Sequence, residues 1–150
     1  MGRVEASKEY FLKGYNCSQS VVLAFKDLFN IDEETLLKIA SPFGGGMGRL
    51  RETCGAFSGA LIVIGLLYGY NTPEIGEIKK ELYEKVQEIG KKFEEKNGSL
   101  VCRTLLNLKE MHSAPTPEKR DENFYKRRPC ISIIENSVSI LDEFIKNHEW

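Results

Sequence analysis

Cys54-Gly55-Ala56-Phe57-Ser58-Gly59, continued by ALIVIGLLYGY to Tyr70, opens the most apolar run of the chain. As a helix, residues 55–70 would be about 24 Å long, short of the roughly 30 Å hydrocarbon core of a bilayer. A run of this length reads as a buried helix rather than a membrane span. Gly55 and Gly59 are four apart, as are Gly65 and Gly69. Small residues at that spacing form a groove in which a second helix can approach closely. The segment is apolar all round, which suits a helix surrounded by others. The expectation is an all-α fold: a compact helical bundle, one domain over residues 1–150, built around this central Gly-rich apolar helix.

The flanking segments carry helical signals too. Val4 to Lys13 reads as a short helix closed by Gly14. Asn16 starts a second that runs through Phe29, with Gln19 where a capping box places it. Val21, Val22, Phe25, Leu28 and Phe29 recur at helical spacing. Asp32 to Ala40 reads as a third, stopped by Ser41-Pro42. Thr72-Pro73 opens a long amphipathic helix to about Asn97-Gly98, with Ile75, Ile78, Leu82, Val86, Ile89 and Phe93 on one stripe. Leu100 to Met111 is expected to be a further helix. The last runs from Pro129 to about His148, with Ile134, Val138, Leu141 and Ile145 facing inward. His112 to Arg128 is the one segment read as non-helical. Pro115, Pro117, Lys119, Arg120, Lys126, Arg127 and Arg128 give it the look of a solvated basic connector, with a functional or mobile loop as the competing reading. No alternating β pattern, internal repeat or low-complexity tract is present.

The 150 residues are 41% hydrophobic and 29% charged, the profile of a globular protein with one core. A net charge of -1 exerts no overall pull toward nucleic acid or membrane. Met1 to Lys13 has charges throughout and no apolar signal-peptide core, so a cytoplasmic location is the default expectation. In that compartment disulfides are usually transient, catalytic or redox-sensing.

The four cysteines, Cys17, Cys54, Cys102 and Cys130, each fall in the expected first turn of a helix. Asn16, Thr53 and Ser99 are good N-cap residues, and Pro129 suits a first helical position. A helix start offers unpaired N–H groups and a partial positive charge, which favour thiolate over thiol. Four cysteines so placed suggest helix ends converging on a shared sulfur site, with at least three sulfurs in one cluster. Cys54 is expected to be among the most acidic, with Arg49, Arg51 and Arg103 adding positive charge nearby. Between the third helix and Cys54 lies Phe43-Gly44-Gly45-Gly46-Met47-Gly48-Arg49. It lacks the Lys-Ser/Thr of a P-loop, so phosphate binding has little support. It reads either as a flexible turn or as a loop shaped around a buried site. In the second case Gly44, Gly45, Gly46, Gly48 and Arg49 are the candidate cofactor contacts.

Several devices are excluded by spacing. There is no Cys-x-x-Cys and no Cys-x-x-Cys-His, so neither a thioredoxin-type motif nor covalent haem attachment is signalled. His112 and His148 are the only histidines, which leaves little basis for a Cys-His or Ser-His-Asp machine. Three readings of the sulfurs remain open. They are inert core residues, or one or two dithiol/disulfide pairs, or joint ligands of an iron–sulfur cluster or another metal such as zinc.

The motif set resembles a family of redox-active proteins named for a C_GCAxxG_C_C pattern. Cys54-Gly55-Ala56-Phe57-Ser58-Gly59 fits its CGAxxG core. Asn16-Cys17-Ser18-Gln19-Ser20 is similar to its first cysteine region, Gly44 to Arg49 to the segment leading into the core, and Cys102 and Cys130 to its downstream cysteines. The resemblance implies a small all-helical protein whose cysteines are its functional residues. A related domain occurs in split-Soret cytochromes, which favours electron transfer and iron–sulfur chemistry; the haem motif itself is missing here. The resulting expectation is a thiol/disulfide or iron–sulfur electron carrier, the alternative a zinc-stabilised helical module without redox activity. An unidentified redox partner is expected, with no nucleic acid and no membrane; a homodimer is compatible with the sequence.

Overall fold

The computed structural model describes residues 2–73 and 76–150. Among them, eight right-handed α-helices pack around one contiguous apolar core. They are α1 (Arg3–Leu12), α2 (Cys17–Leu23), α3 (Glu33–Ala40), α4 (Gly55–Tyr68), α5 (Glu77–Asn97), α6 (Cys102–Leu105), α7 (Glu122–Arg127) and α8 (Cys130–Lys146). No helix among the described residues is long and apolar enough to cross a membrane.

α4 lies against α2, α5 and α8, and its N-terminal half is buried on all sides from Gly55 to Ala60. Gly55 and Gly59 make this possible. A Cβ on Gly59 would stand 2.7 Å from the Ser18 carbonyl oxygen and 3.1 Å from Val21 Cβ. A Cβ on Gly55 would overlap Cys17 Sγ. The C-terminal half differs from the sequence expectation. Gly65 faces open space and Leu66 is exposed. Gly69 caps α4, and its only close neighbour is the Gly65 backbone of the same helix. The glycine groove is therefore the Gly55–Gly59 half alone.

The second helix ends at Leu23 rather than Phe29. The chain tightens into a 3₁₀ turn over Lys26–Leu28, and Arg3 of α1 donates to the Ala24 carbonyl at 2.7 Å. That side chain satisfies one carbonyl released by the break. Asn16 and Gln19 form the expected capping box, and Asn16 Nδ2 also reaches the Ser41 carbonyl at 3.0 Å. In α5 the apolar stripe is buried only at Ile89 and Phe93; Leu82 and Val86 are half-buried and Ile78 is exposed. Ile75 lies outside the described residues. Gly98, at φ 102°, stops α5 as its sequence suggests.

Two further expectations are corrected. The helix expected over Leu100 to Met111 is a single turn, because Asn107 adopts φ 55° and Leu108 N–H closes onto the Arg103 carbonyl at 2.8 Å. Asn tolerates that left-handed geometry better than most residues. The segment from His112 to Arg128 contains α7, capped by the Asp121 side chain on Phe124 N–H. Most of the segment is exposed, as a solvated connector would be, but it also lines the cysteine cavity through Glu118, Arg120, Phe124 and Arg128.

Candidate functional site

The four cysteines stand where helices start: Cys17 opens α2, Cys54 is the N-cap of α4, Cys102 opens α6 and Cys130 opens α8. The caps differ in detail. Thr53 is not a cap; it pairs with Val101 in an isolated antiparallel bridge. Ser99 Oγ accepts from Val101 N–H, and Pro129 takes the N-cap position of α8. The bridge fixes two of the cysteines. Cys54 N–H donates to the Leu100 carbonyl at 2.8 Å, and Cys102 N–H donates to the Glu52 carbonyl at 2.6 Å.

All four cysteines line one cavity of about 310 Å³. Cys54 and Cys102 are buried, Cys17 and Cys130 half-buried, and none is paired in a disulfide. Cys54 and Cys102 are diagonal neighbours across the bridge. Among the described residues, no three His, Cys, Asp or Glu side chains are grouped to hold a metal ion.

One wall of the cavity is the glycine segment, and its shape is unusual. Gly45, Gly46, Met47, Gly48 and Arg49 have φ values of 69°, 69°, 68°, 59° and 69°. Five consecutive left-handed residues make one left-handed turn, which costs a residue with a Cβ about 1–2 kcal/mol. Glycine at three of the five positions avoids that cost. Met47, Arg49 and also Arg51, at φ 60°, bear it. Glu52 N–H closes onto the Gly46 carbonyl at 2.9 Å, and Ser113 N–H onto the Arg49 carbonyl at 2.9 Å. Of the residues expected to contact a cofactor, Gly44, Gly45, Gly48 and Arg49 line the cavity. Gly46 stands behind it, buried against Cys102.

An adjoining wall comes from the segment before Cys130. Pro115, Pro117, Glu118, Arg120, Phe124 and Arg128 line the cavity there. Arg120 anchors this strap by donating to the Phe11 carbonyl at 2.7 Å and the Tyr15 carbonyl at 3.0 Å. Its guanidinium lies 4.2 Å from the Phe11 ring centroid. The sequence reading missed these wall residues. The signal available was two prolines and a cluster of arginines leading directly into a cysteine.

Each sulfur has its own electropositive neighbour. Cys17 faces the N–H groups of Gly45 and Ser18, Cys54 those of Ala56 and Phe57. Arg51 Nη1 stands 3.6 Å from Cys102 Sγ. Cys130 feels the charges of Arg128 and Arg120. Burial nevertheless outweighs these contacts at three positions. It pushes the Cys17 thiol up, Cys54 well up, and Cys130 to about 12, with the neighbouring sulfurs adding to the rise. The expectation of an acidic Cys54 is therefore corrected. The helix start supplies the N–H groups, but enclosure removes the water that a thiolate needs. Cys17, Cys54 and Cys130 are held as neutral thiols when nothing else ligates them.

The architecture defines a class: an all-helical protein whose four cysteines, from four separate chain segments, line one cavity. Residues 15–144 match the family model described as "Putative redox-active protein (C_GCAxxG_C_C)", and the chain belongs to that family. No curated protein and no solved structure matches it.

Proposed function

We propose that the chain is a one-electron carrier whose redox centre is an iron–sulfur cluster bound by Cys17, Cys54, Cys102 and Cys130. One observation carries this reading: four unpaired cysteines from four chain segments line one cavity of about 310 Å³. A mononuclear zinc site needs its four ligands within about 2.3 Å of one atom. A cluster spreads its four thiolates over a polynuclear body. The donor set fits such a group chemically, since four cysteine thiolates are its usual ligands. When bound, it supplies an electron that can be gained or lost without moving protein atoms far.

The chain's own residues prepare that site. Burial holds the Cys17, Cys54 and Cys130 thiols protonated in the metal-free protein, and ligation displaces those protons. N–H groups at Cys17 and Cys54 and the guanidinium near Cys102 are the contacts that moderate negative charge on sulfur. An electron-donating or accepting protein partner in a reducing compartment completes the proposal.

The test is iron and acid-labile sulfide measured on anaerobically purified protein, together with the visible spectrum before and after dithionite. Stoichiometric iron and sulfide, bleaching on reduction, and loss of both in any single Cys→Ser variant are expected. Full-occupancy zinc with no spectral response, or reversible change in thiol count without iron, overturns the reading.

A further inference from the structure

Three guanidiniums crowd one side of the cysteine cavity. Arg49, Arg51 and Arg128 all line it, and Glu118 is the one carboxylate among its lining residues. Arg51 is 4% exposed. It has no carboxylate partner among the described residues; its Nε donates to Ser113 Oγ at 2.8 Å, and its Nη1 meets Cys102 Sγ. The Arg128 side chain is 8% exposed and shares Glu118 with Arg127. Its Nε is buried without a hydrogen-bond partner. Arg49 commits its Nε to the Ala114 carbonyl at 2.6 Å. Burial, then repulsion from Arg51 and Arg128, pushes the Arg49 guanidinium below its ordinary value. Arg120, the fourth cation of the lining, is used by the Phe11 and Tyr15 carbonyls.

Buried guanidinium charge without a counter-charge is unfavourable, and so is an unpaired N–H donor away from water. Glu118 serves two arginines already. The lining therefore sets four guanidiniums against one carboxylate. We propose that it is an anion site, in which Arg49, Arg51 and Arg128 bind a small tetrahedral oxyanion of the sulfate or phosphate type beside the cysteines. Guanidinium forks suit such a ligand because paired N–H donors match paired oxygens. Chloride offers no such pairing. The inference is drawn for the metal-free protein, since a cluster held by four thiolates would itself bring negative charge to this wall.

The experiment uses the full chain, purified without added iron and treated with chelator. Calorimetric titration with sodium sulfate, sodium phosphate and glycerol phosphate is compared with sodium chloride at constant ionic strength. One saturable oxyanion site is expected, with chloride binding too weak to saturate. Tighter binding of the ester assigns the site to organic phosphates; tighter binding of the inorganic ions assigns it to free oxyanions. Arg128→Gln and Arg49→Gln are each expected to weaken binding by about tenfold or more, the scale of a lost charge-assisted hydrogen bond. Arg127→Gln, on an exposed side chain sharing the same Glu118, is expected to stay within about threefold. Circular dichroism confirms that each variant is folded. Oxyanion heats indistinguishable from chloride, or full affinity in both Arg128→Gln and Arg49→Gln, overturn the proposal. Iron and sulfide content decides the cluster reading separately, so either idea can fail alone.

Discussion

Replacing Gly46 by alanine tests whether the left-handed turn is what seats Cys102 in the cavity wall. Two costs add. At φ 69° a Cβ brings the left-handed penalty of about 1–2 kcal/mol. The same Cβ would stand 2.5 Å from Cys102 Cβ and 2.9 Å from both Arg51 Cα and Glu52 N. Those last two are backbone atoms, and they are pinned. Glu52 N–H bonds back to the Gly46 carbonyl, and the Glu52 carbonyl accepts from Cys102 N–H. Overpacking that cannot relax costs a further 1–3 kcal/mol, for a total of about 2–5 kcal/mol. This is a large part of a domain stability of roughly 5–15 kcal/mol. Gly48→Ala is the control, since Gly48 has nearly the same φ, 59°, and its nearest neighbour is the Pro42 carbonyl oxygen at 3.9 Å. It carries the backbone cost without the collision. Urea unfolding gives both values from the midpoints and slopes. If Gly46→Ala loses no more stability than Gly48→Ala, the turn is not sterically locked to Cys102, and the argument fails.

Three other outcomes follow from the same geometry. Gly59→Leu is expected to destabilise by about 3 kcal/mol or more through collision with Ser18 and Val21, whereas Gly65→Ala, facing open space, is expected to stabilise by about 0.5–1 kcal/mol; paired thermal melts decide it. In metal-free protein, burial raises the proton affinity of Cys17, Cys54 and Cys130, so alkylation should lag behind a free thiol at pH 8. Because these folded-state values lie above the unfolded one, the folded form is at full advantage below about pH 8.5 and loses stability as pH climbs, for Cys130 toward about 12. A pH series of alkylation rates and unfolding midpoints checks both, and a thiol among these three titrating below the free value refutes the burial argument. Asn16→Ala removes the α2 cap and the tie to the Ser41 carbonyl, and is expected to cost about 1–2 kcal/mol by urea unfolding, with no change refuting the role of the capping box.

The sequence by itself determined the helices that announce their own ends. Asn16-x-x-Gln19 set the start of α2, Asp32 the start of α3, and Gly98 the end of α5, because caps and left-handed stops act within a few residues. The burial of the Gly55–Ala60 half of α4 was legible from its lack of any polar face, and so was the place of the four cysteines at helix starts, although only Asn16 caps as its sequence suggests. Local signals failed where a distant group intervened. The break after Leu23 is satisfied by Arg3, and the single turn of α6 is fixed by its pairing with residues 51–53.

Only the tertiary structure decided what the cysteines are. Helix-start position predicted acidic thiols, yet burial, a property of the whole packed chain, reverses the sign at Cys17, Cys54 and Cys130. The left-handed run from Gly45 to Arg49 was hidden because Met47, Arg49 and Arg51 adopt a geometry their side chains disfavour, held by hydrogen bonds that the fold supplies. The strap over the cavity was hidden for the opposite reason. Its residues look solvated, and only contact with Phe11 and Tyr15, more than 100 positions away, turns Arg120 from a surface charge into a wall. Short-range stereochemistry is written in neighbouring residues; solvent exclusion and counter-charge depend on which distant segments meet.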